Sequence, residues 1–253
     1  MPAFLPRASS ENLELALIGD RVPKEFVVPE GIAQRMLGAA NPHGKPNADV
    51  MRELAPVDPG RTPGGRWLID FNPAMTEREA SLYQEPYAWL AARSPTRGSG
   101  WWLNPAASPA LRRSLARLER YLAASLDRPQ PEWIWLESLL LPTESLLVVA
   151  RDDDLTHGVL QSTAFQLWWA RHRQRLTPVE LILAFPFPWA PATPLSLLTK
   201  GQEEHRLAIS RGSRSASLPQ IDSALTAAYG WAPGQTDDEI LTQLVLLNQR
   251  RAL

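Results

Sequence analysis

No cysteine occurs among the 253 residues. That excludes disulfides, a thiol nucleophile and cysteine-ligated zinc, and the four histidines, His43, His157, His172 and His205, are scattered along the chain rather than set at metal-ligand spacing. Net charge is equally scarce. With 26 basic against 27 acidic residues, no overall field draws the chain to a polyanion, so any such binding must rest on local patches. No run of about 20 apolar residues is available to cross a bilayer, and residues 1–10 lack the charged and apolar regions of a signal peptide. The expectation is a cytoplasmic protein without a membrane partner. Also missing are a G-x-S-x-G elbow, a Walker loop and a G-x-G-x-x-G fingerprint.

Proline, by contrast, is abundant at 24 residues, and one proline-marked stretch organises the chain. Arg175 to Pro188 reads R-L-T-P-V-E-L-I-L-A-F-P-F-P. Phe185-Pro186-Phe187-Pro188 cannot continue a helix, because each proline lacks an N–H and biases the residue before it towards extended geometry. It reads as an extended strap whose two phenylalanines press on an apolar body, a seam where two parts of the protein are stitched. The hydrophobic content of 44% is enough for a real core around it.

Upstream, Leu13–Ile18 is a short apolar patch, one strand or part of an irregular arm. Phe26–Val28 reads as a strand and Pro29-Glu30-Gly31 opens a helix ending near Gly38. Asn41–Asn47 and Arg61–Gly65 are loops by their proline and glycine. Trp67–Phe71 is strand-like; Thr76 with Glu79 forms a capping box, and Pro86 bends or divides the helix that follows. Ser108-Pro109 starts a helix in which Leu111, Leu115, Leu118, Leu122 and Leu126 form one stripe, leaving Arg112, Arg113, Arg117 and Arg120 on its outer side. Glu132–Leu136 and Ser145–Ala150 are strand-like, and Asp152-Asp153-Asp154 turns the chain into Thr156–Gln161 as a hairpin or meander. Ser162 caps a helix through Trp169. Thr199–Ser217 is polar, a helix or a linker; Pro219–Ala228 and Ile240–Leu247 are helices, the second headed by a Thr236–Glu239 capping box.

The charge is patterned locally. Ala91–Gln130 holds seven arginines against two acids, and Leu155–Val179 holds Arg171, Arg173 and Arg175 with no acid at all. Each patch reads either as a solvated helix face or as a ligand-facing surface. The run Asp152–Asp154 reads as a turn rather than a Mg²⁺ site, since adjacent strand positions point to opposite faces. Three Asn-Pro pairs, Asn41-Pro42, Asn72-Pro73 and Asn104-Pro105, lack the second proline and the aromatic of an amino-methyltransferase base-holding loop.

Taken together and in order, several motifs resemble a known family. Asn41-Pro42-His43-Gly44-Lys45-Pro46-Asn47-Ala48-Asp49-Val50, Trp67-Leu68-Ile69-Asp70-Phe71, Glu79–Tyr83 and Glu85-Pro86-Tyr87 resemble the segment after the methyltransferase core of MmeI-like (type IIL) DNA methyltransferase and restriction-modification enzymes. Trp101-Trp102, Arg120-Tyr121, Trp135-Leu136, Leu141-Pro142, Ala150–Asp154 and Gly158-Val159-Leu160 are similar to that family's target-recognition domain. Arg175-Leu176-Thr177-Pro178 and Phe185–Pro188 resemble its R-Y-T-P and F-P-F-P signatures, and Ile221-Asp222, Ala227–Trp231 and Leu247-Asn248 its helical end. The chain departs from the family in a shorter basic loop before Trp101, in Pro131-Glu132 where a basic residue is usual, and in Gln161 where a histidine is usual.

The resemblance implies an α+β fold: an N-terminal arm over residues 1–25, a mixed sheet-and-helix target-recognition domain over 26–188, a linker over 189–218 and a helical segment over 219–253. It implies a chain that reads double-stranded DNA and presents it to a partner methyltransferase domain. That partner would bind S-adenosylmethionine and methylate an adenine at N6. The chain itself is expected to hold no cofactor and no metal and to be no enzyme alone. Under this reading charge and position assign Arg171, Arg173, Arg175 and Thr177 to base edges, and Arg97, Arg112, Arg113, Arg117 and Arg120 to phosphates. The alternative is a remnant that packs on such a partner and no longer reads DNA.

Overall fold

A computed structural model of the chain describes residues 5–56, 65–94 and 98–251, so Arg97 and most of the expected 61–65 loop lie outside the described residues. In chain order the strands and α-helices are β1 (Ala16–Ile18), β2 (Val27–Pro29), α1 (Glu30–Gly38), β3 (Met51–Glu53), β4 (Arg66–Ile69), α2 (Glu77–Ala80), α3 (Gln84–Arg93), α4 (Pro109–Leu115), β5 (Arg120–Ser125), β6 (Ile134–Glu137), β7 (Leu146–Val149), α5 (Asp154–Gln161), α6 (Thr163–His172), α7 (Pro178–Leu183), α8 (Lys200–Arg214), α9 (Leu218–Ala228) and α10 (Asp237–Arg251). The fold is α+β, with two antiparallel sheets and surrounding helices. No helix among the described residues is long and apolar enough to cross a membrane.

The described residues form two compact units. One comprises those within Met1–Leu17, Arg117–Trp135 and Leu147–Leu253, the other those within Ile18–Ala116 and Leu136–Leu146. This division runs across the expected succession of arm, recognition domain, linker and helical segment, because the arm and the last helices share one core.

The first unit is built on the sheet ordered β1-β7-β5-β6. Leu122, Ala124, Leu147 and Val149 of the sheet bury with Val159, Phe165, Trp168, Phe185, Ile209 and Leu244 in one apolar cluster. The proline strap is the hub of this core. Phe185 and Phe187 are both buried, and Phe185 meets Phe165 edge-on at 5.2 Å and Trp168 at 6.0 Å. Burying each such ring contributes roughly 1.5–3 kcal/mol. The carbonyls at the end of α7 and along the strap find partners from both ends of the chain. Asn12 Nδ2 donates to Leu183 O at 3.0 Å and Phe185 O at 2.8 Å, Asn248 Nδ2 to Ala184 O at 2.7 Å, and the Tyr229 hydroxyl to Pro186 O at 2.8 Å. The seam thus ties the N-terminal arm and α10 onto one core.

The second unit carries the sheet ordered β2-β4-β3, in which β4 pairs antiparallel with both neighbours, Val28 opposite Trp67 and Arg52 opposite Leu68. Phe26, Val28, Met36, Leu54, Leu68, Ile69, Phe71, Tyr83 and Leu90 form its core. The Thr76 capping box is present, and α2 and α3 are separate helices with Pro86 in the first turn of α3.

Three sequence expectations need correction, and one segment that had none, the middle of Arg175–Pro188, is helical. The leucine stripe after Ser108 is not one helix: α4 stops at Leu115, and Leu122 lies on β5, a strand whose residues 121–125 are all buried. A short run buried on both faces has no period that separates strand from helix. Thr156–Gln161 is helical rather than a strand, because Asp153 accepts from Thr156 N at 2.7 Å as an N-cap and Asp154 lies in the first turn. The middle of the Arg175–Pro188 stretch is helix α7, started by a Thr177–Glu180 capping box with Pro178 at the first position. Residues 200–214 are a packed helix and not a linker. Its buried face is Ile209 with the small residues Ser210, Gly212 and Ser213, which together leave little hydrophobic signal. A Cβ on Gly158 would stand 2.7 Å from Ile209 Cγ2, so α5 and α8 approach through the glycine.

Candidate nucleic-acid interface

In the first unit, Ser162 starts α6 by accepting from Phe165 N at 3.2 Å. Phe165, Trp168, Trp169 and His172 then bury one face of the helix, and that packing turns Arg171, Arg173 and, past the helix end, Arg175 outward as exposed side chains. Cations at a helix C-terminus complement the macrodipole. Arg173 Nη1 donates to Pro129 O at 2.9 Å, a carbonyl it shares with Trp169 Nε1 at 3.1 Å, while Arg171 and Arg175 extend freely. Among the described residues no carboxylate pairs with any of the three.

Between them His172 is 4% exposed, its ring 4.5 Å from that of Trp168 and its Nε2 without a hydrogen-bond partner. Burial first, then the charges of Arg171 and Arg175, push its pKa down to about 4. The imidazole is therefore neutral at neutral pH and adds no charge to the cluster. Thr177 has a different job. Its Oγ1 donates to Glu180 Oε2 at 2.8 Å and accepts from Glu180 N at 3.3 Å, so the hydroxyl assigned to base reading is occupied in capping α7.

Arg120 and Arg117 divide the same way. Arg120 donates to Asp154 Oδ1 at 2.9 Å and lies 3.8 Å over the Trp135 ring, and Arg214 meets the other Asp154 oxygen at 2.8 Å. Asp153 caps α5 and pairs with Arg151 at 2.8 Å. Two acids of the run are thus committed to helix capping and ion pairs, and among the described residues no group of three or more His, Asp or Glu side chains is placed to hold a metal ion. Arg117 is exposed and pairs with no carboxylate among the described residues.

In the second unit Arg112 is enclosed rather than presented. It meets Asp20 at 2.7 Å and makes a short contact to Asp70, which also takes Arg52 Nε at 2.9 Å. Asp20 is 1% exposed and accepts from Ser108 N at 2.9 Å. Burial works against the guanidinium's charge, and the Asp70 and Asp20 carboxylates outweigh it, holding Arg112 above its ordinary value. Asp20 itself is lifted by its burial against the pull of Arg112. Arg113, one residue on, is exposed. A cavity of about 910 Å³ opens beside this network, lined by Asp49, Asp70, Asn72, Asn104, Arg112 and Arg113 among others. Asn72 and Asn104 turn their own loops, accepting from Ala74 N at 2.9 Å and Ala106 N at 3.0 Å. Asp20 and Asp70 carried no sequence signal for this role, because they come from segments far from Arg112.

No family model matches the chain, and no curated protein matches it. A solved structure does: the Type IIL restriction-modification enzyme MmeI in complex with DNA, at a TM-score of 0.61 and 14% identity, over 98% of this chain and 36% of that one. The chain therefore spans about a third of the length of the protein it resembles. At this identity the likeness is one of fold alone.

Proposed function

We propose that this chain is a DNA-binding target-recognition fragment or subunit of a restriction-modification system. It would position duplex DNA for a separately encoded methyltransferase domain that acts on adenine N6. The observation that carries this reading is the exposed trio Arg171, Arg173 and Arg175, unpaired by any described carboxylate, on a fold like that of an enzyme solved with DNA. In this reading the trio reaches base edges, where arginine pairs bidentately with guanine, and Arg113 and Arg117 touch phosphates. Arg112, Arg120 and Thr177 leave the contact set, because carboxylates of the protein itself already engage their polar groups.

The chemistry belongs to the partner. S-adenosylmethionine would be held by the methyltransferase, and this chain alone would be no enzyme.

Binding of the purified chain to duplex DNA across a salt series tests the reading. Affinity should fall linearly on a log–log plot as counterions are displaced, with a slope of about 0.9 per phosphate contacted. No salt-dependent binding, alone or with a neighbouring methyltransferase subunit, would leave the alternative of a protein-interaction remnant.

A further inference from the structure

A second basic surface lies in the second unit and was invisible as a charge run, because its cations come from three separate segments. A shallow groove of about 710 Å³ is floored by Val22, Val27 and Pro29 and edged by Lys24, Arg66 and Arg93. Lys24 stands just before β2, Arg66 opens β4 directly opposite Pro29, and Arg93 ends α3. All three are exposed, and no carboxylate pairs with them among the described residues. Glu144 is the one carboxylate in the described lining, and its Oε2 accepts from Val22 N at 3.1 Å.

Arg93 is set in advance. Trp89 lies one helical turn earlier, its indole fixed by donation from Nε1 to Glu25 O at 3.2 Å. The Arg93 guanidinium carbon sits 3.2 Å from the Trp89 ring centroid, and Nη1 donates to Trp89 O at 3.2 Å. One face of the fork is stacked, and the exposed side chain keeps in-plane N–H donors beyond the one given to Trp89 O. A side chain held this way loses little entropy when it meets an anion. The 910 Å³ cavity of the same unit has the opposite character, since Asp20 and Asp70 cancel the charges of Arg112 and Arg52.

We propose that Lys24, Arg66 and Arg93 bind the sugar–phosphate backbone of DNA, a contact surface beyond the arginines of α6. The inference rests on the reading of the chain as DNA-binding. Three cations against one acid, on an open groove rather than an enclosed pocket, fit successive phosphates of a strand and carry no base code.

The test is fluorescence anisotropy with labelled random-sequence and G-rich duplexes between about 50 and 300 mM salt. It compares the full chain with Lys24→Ala/Arg66→Ala/Arg93→Ala, Arg171→Ala/Arg173→Ala and Glu144→Gln. The groove triple variant should bind every duplex about 10- to 100-fold more weakly near 0.1 M salt, with a salt slope lower by roughly 2–3. Glu144→Gln keeps an acceptor for Val22 N–H but removes the negative charge. It should bind about 2- to 5-fold tighter at low salt and converge with the parent at high salt, a gain that misfolding cannot produce. A triple variant that follows the parent across the series, or a Glu144→Gln variant that gains nothing at low salt, overturns the groove. If the triple variant is unchanged while Arg171→Ala/Arg173→Ala loses binding, the groove falls and the recognition reading stands. Loss in the triple variant with none in the α6 variant keeps the groove and removes the base-reading trio. A parent chain that binds no duplex overturns both.

Discussion

Arg112 in the second unit sits between two carboxylates; Arg171, Arg173 and Arg175 in the first unit meet none. Both groups lie in arginine-rich stretches, and both belong to short helices or their ends. What separates them is the arrival of acids from elsewhere. Asp20 comes from the segment before β2 and Asp70 from the end of β4, and together they withdraw Arg112 from any ligand. At the end of α6 the neighbouring groups are the neutral His172, backbone carbonyls and the helix dipole, so the cations stay available. A basic run in a sequence is a statement about supply, and the folded acids decide what is left for a partner.

The comparison breaks most sharply at Arg112. Replacing Arg112 by Met leaves Asp20 buried without its cation, and loss of one member of a buried pair costs about 3–5 kcal/mol. A urea titration should show a lower midpoint with an unchanged slope. Adding Asp20→Asn to Arg112→Met should recover part of the loss, since the unpaired carboxylate is its main source. If the double variant is as unstable as the sum of the two single ones, the network is not holding this region as described.

The pH dependence of the first unit sharpens the other side. The folded-state pKa of His172 is about 4 against an ordinary 6.5. The unfolded chain therefore takes up a proton on this residue before the folded one does. The stabilisation is whole above about pH 6.5 and is lost as pH falls through that window towards 4, by about 2–3 kcal/mol. His157 is also depressed, chiefly by burial, and contributes in the same direction. The expected result is a stability difference between the parent and His172→Gln that narrows as the pH is lowered, read from urea midpoints at pH 7, 6, 5 and about 4.5. Parallel curves would show that His172 does not titrate as placed.

The sequence patterns led furthest where the signal was local. Ser108-Pro109, the boxes at Thr76 and Thr236, and Ser162 each start a helix in the structure, because a cap satisfies N–H groups three residues away. The strap was legible too, since proline chemistry at Pro186 and Pro188 is local. The Thr177–Glu180 box is a signal of the same local kind, set beside the prolines. What escaped depended on tertiary context. Leu122 fits a helical stripe and lies on a buried strand, α8 packs through serine and glycine, and Arg112 owes its fate to Asp20, 92 residues away. The Lys24–Arg66–Arg93 groove is likewise assembled only by the pairing of β2 with β4 and the end of α3.

Arg120 lies between the two extremes, ion-paired to Asp154 yet stacked on Trp135 and about 41% exposed. Arg120→Ala should cost about 1–2 kcal/mol, the sum of a screened ion pair and a partly solvated cation–π contact. Raising the salt should erode the first contribution and spare most of the second.

At the far end of the scale, Arg171→Ala and Arg175→Ala should each change folding stability by less than about 0.5 kcal/mol, since neither side chain has a partner to lose. Their removal should instead raise the titration midpoint of His172 towards its ordinary value, because both cations help depress it; the imidazole resonances report this directly. Under the proposed function the same variants should also lose discrimination at single G·C positions by about 1–3 kcal/mol per lost pair, while binding to unrelated sequences weakens much less. Stability unchanged with discrimination lost would mark cations kept for a partner. Stability lost with discrimination unchanged would mean that Arg171 and Arg175 serve the fold as Arg112 does, and that the contrast between the two units is only one of exposure.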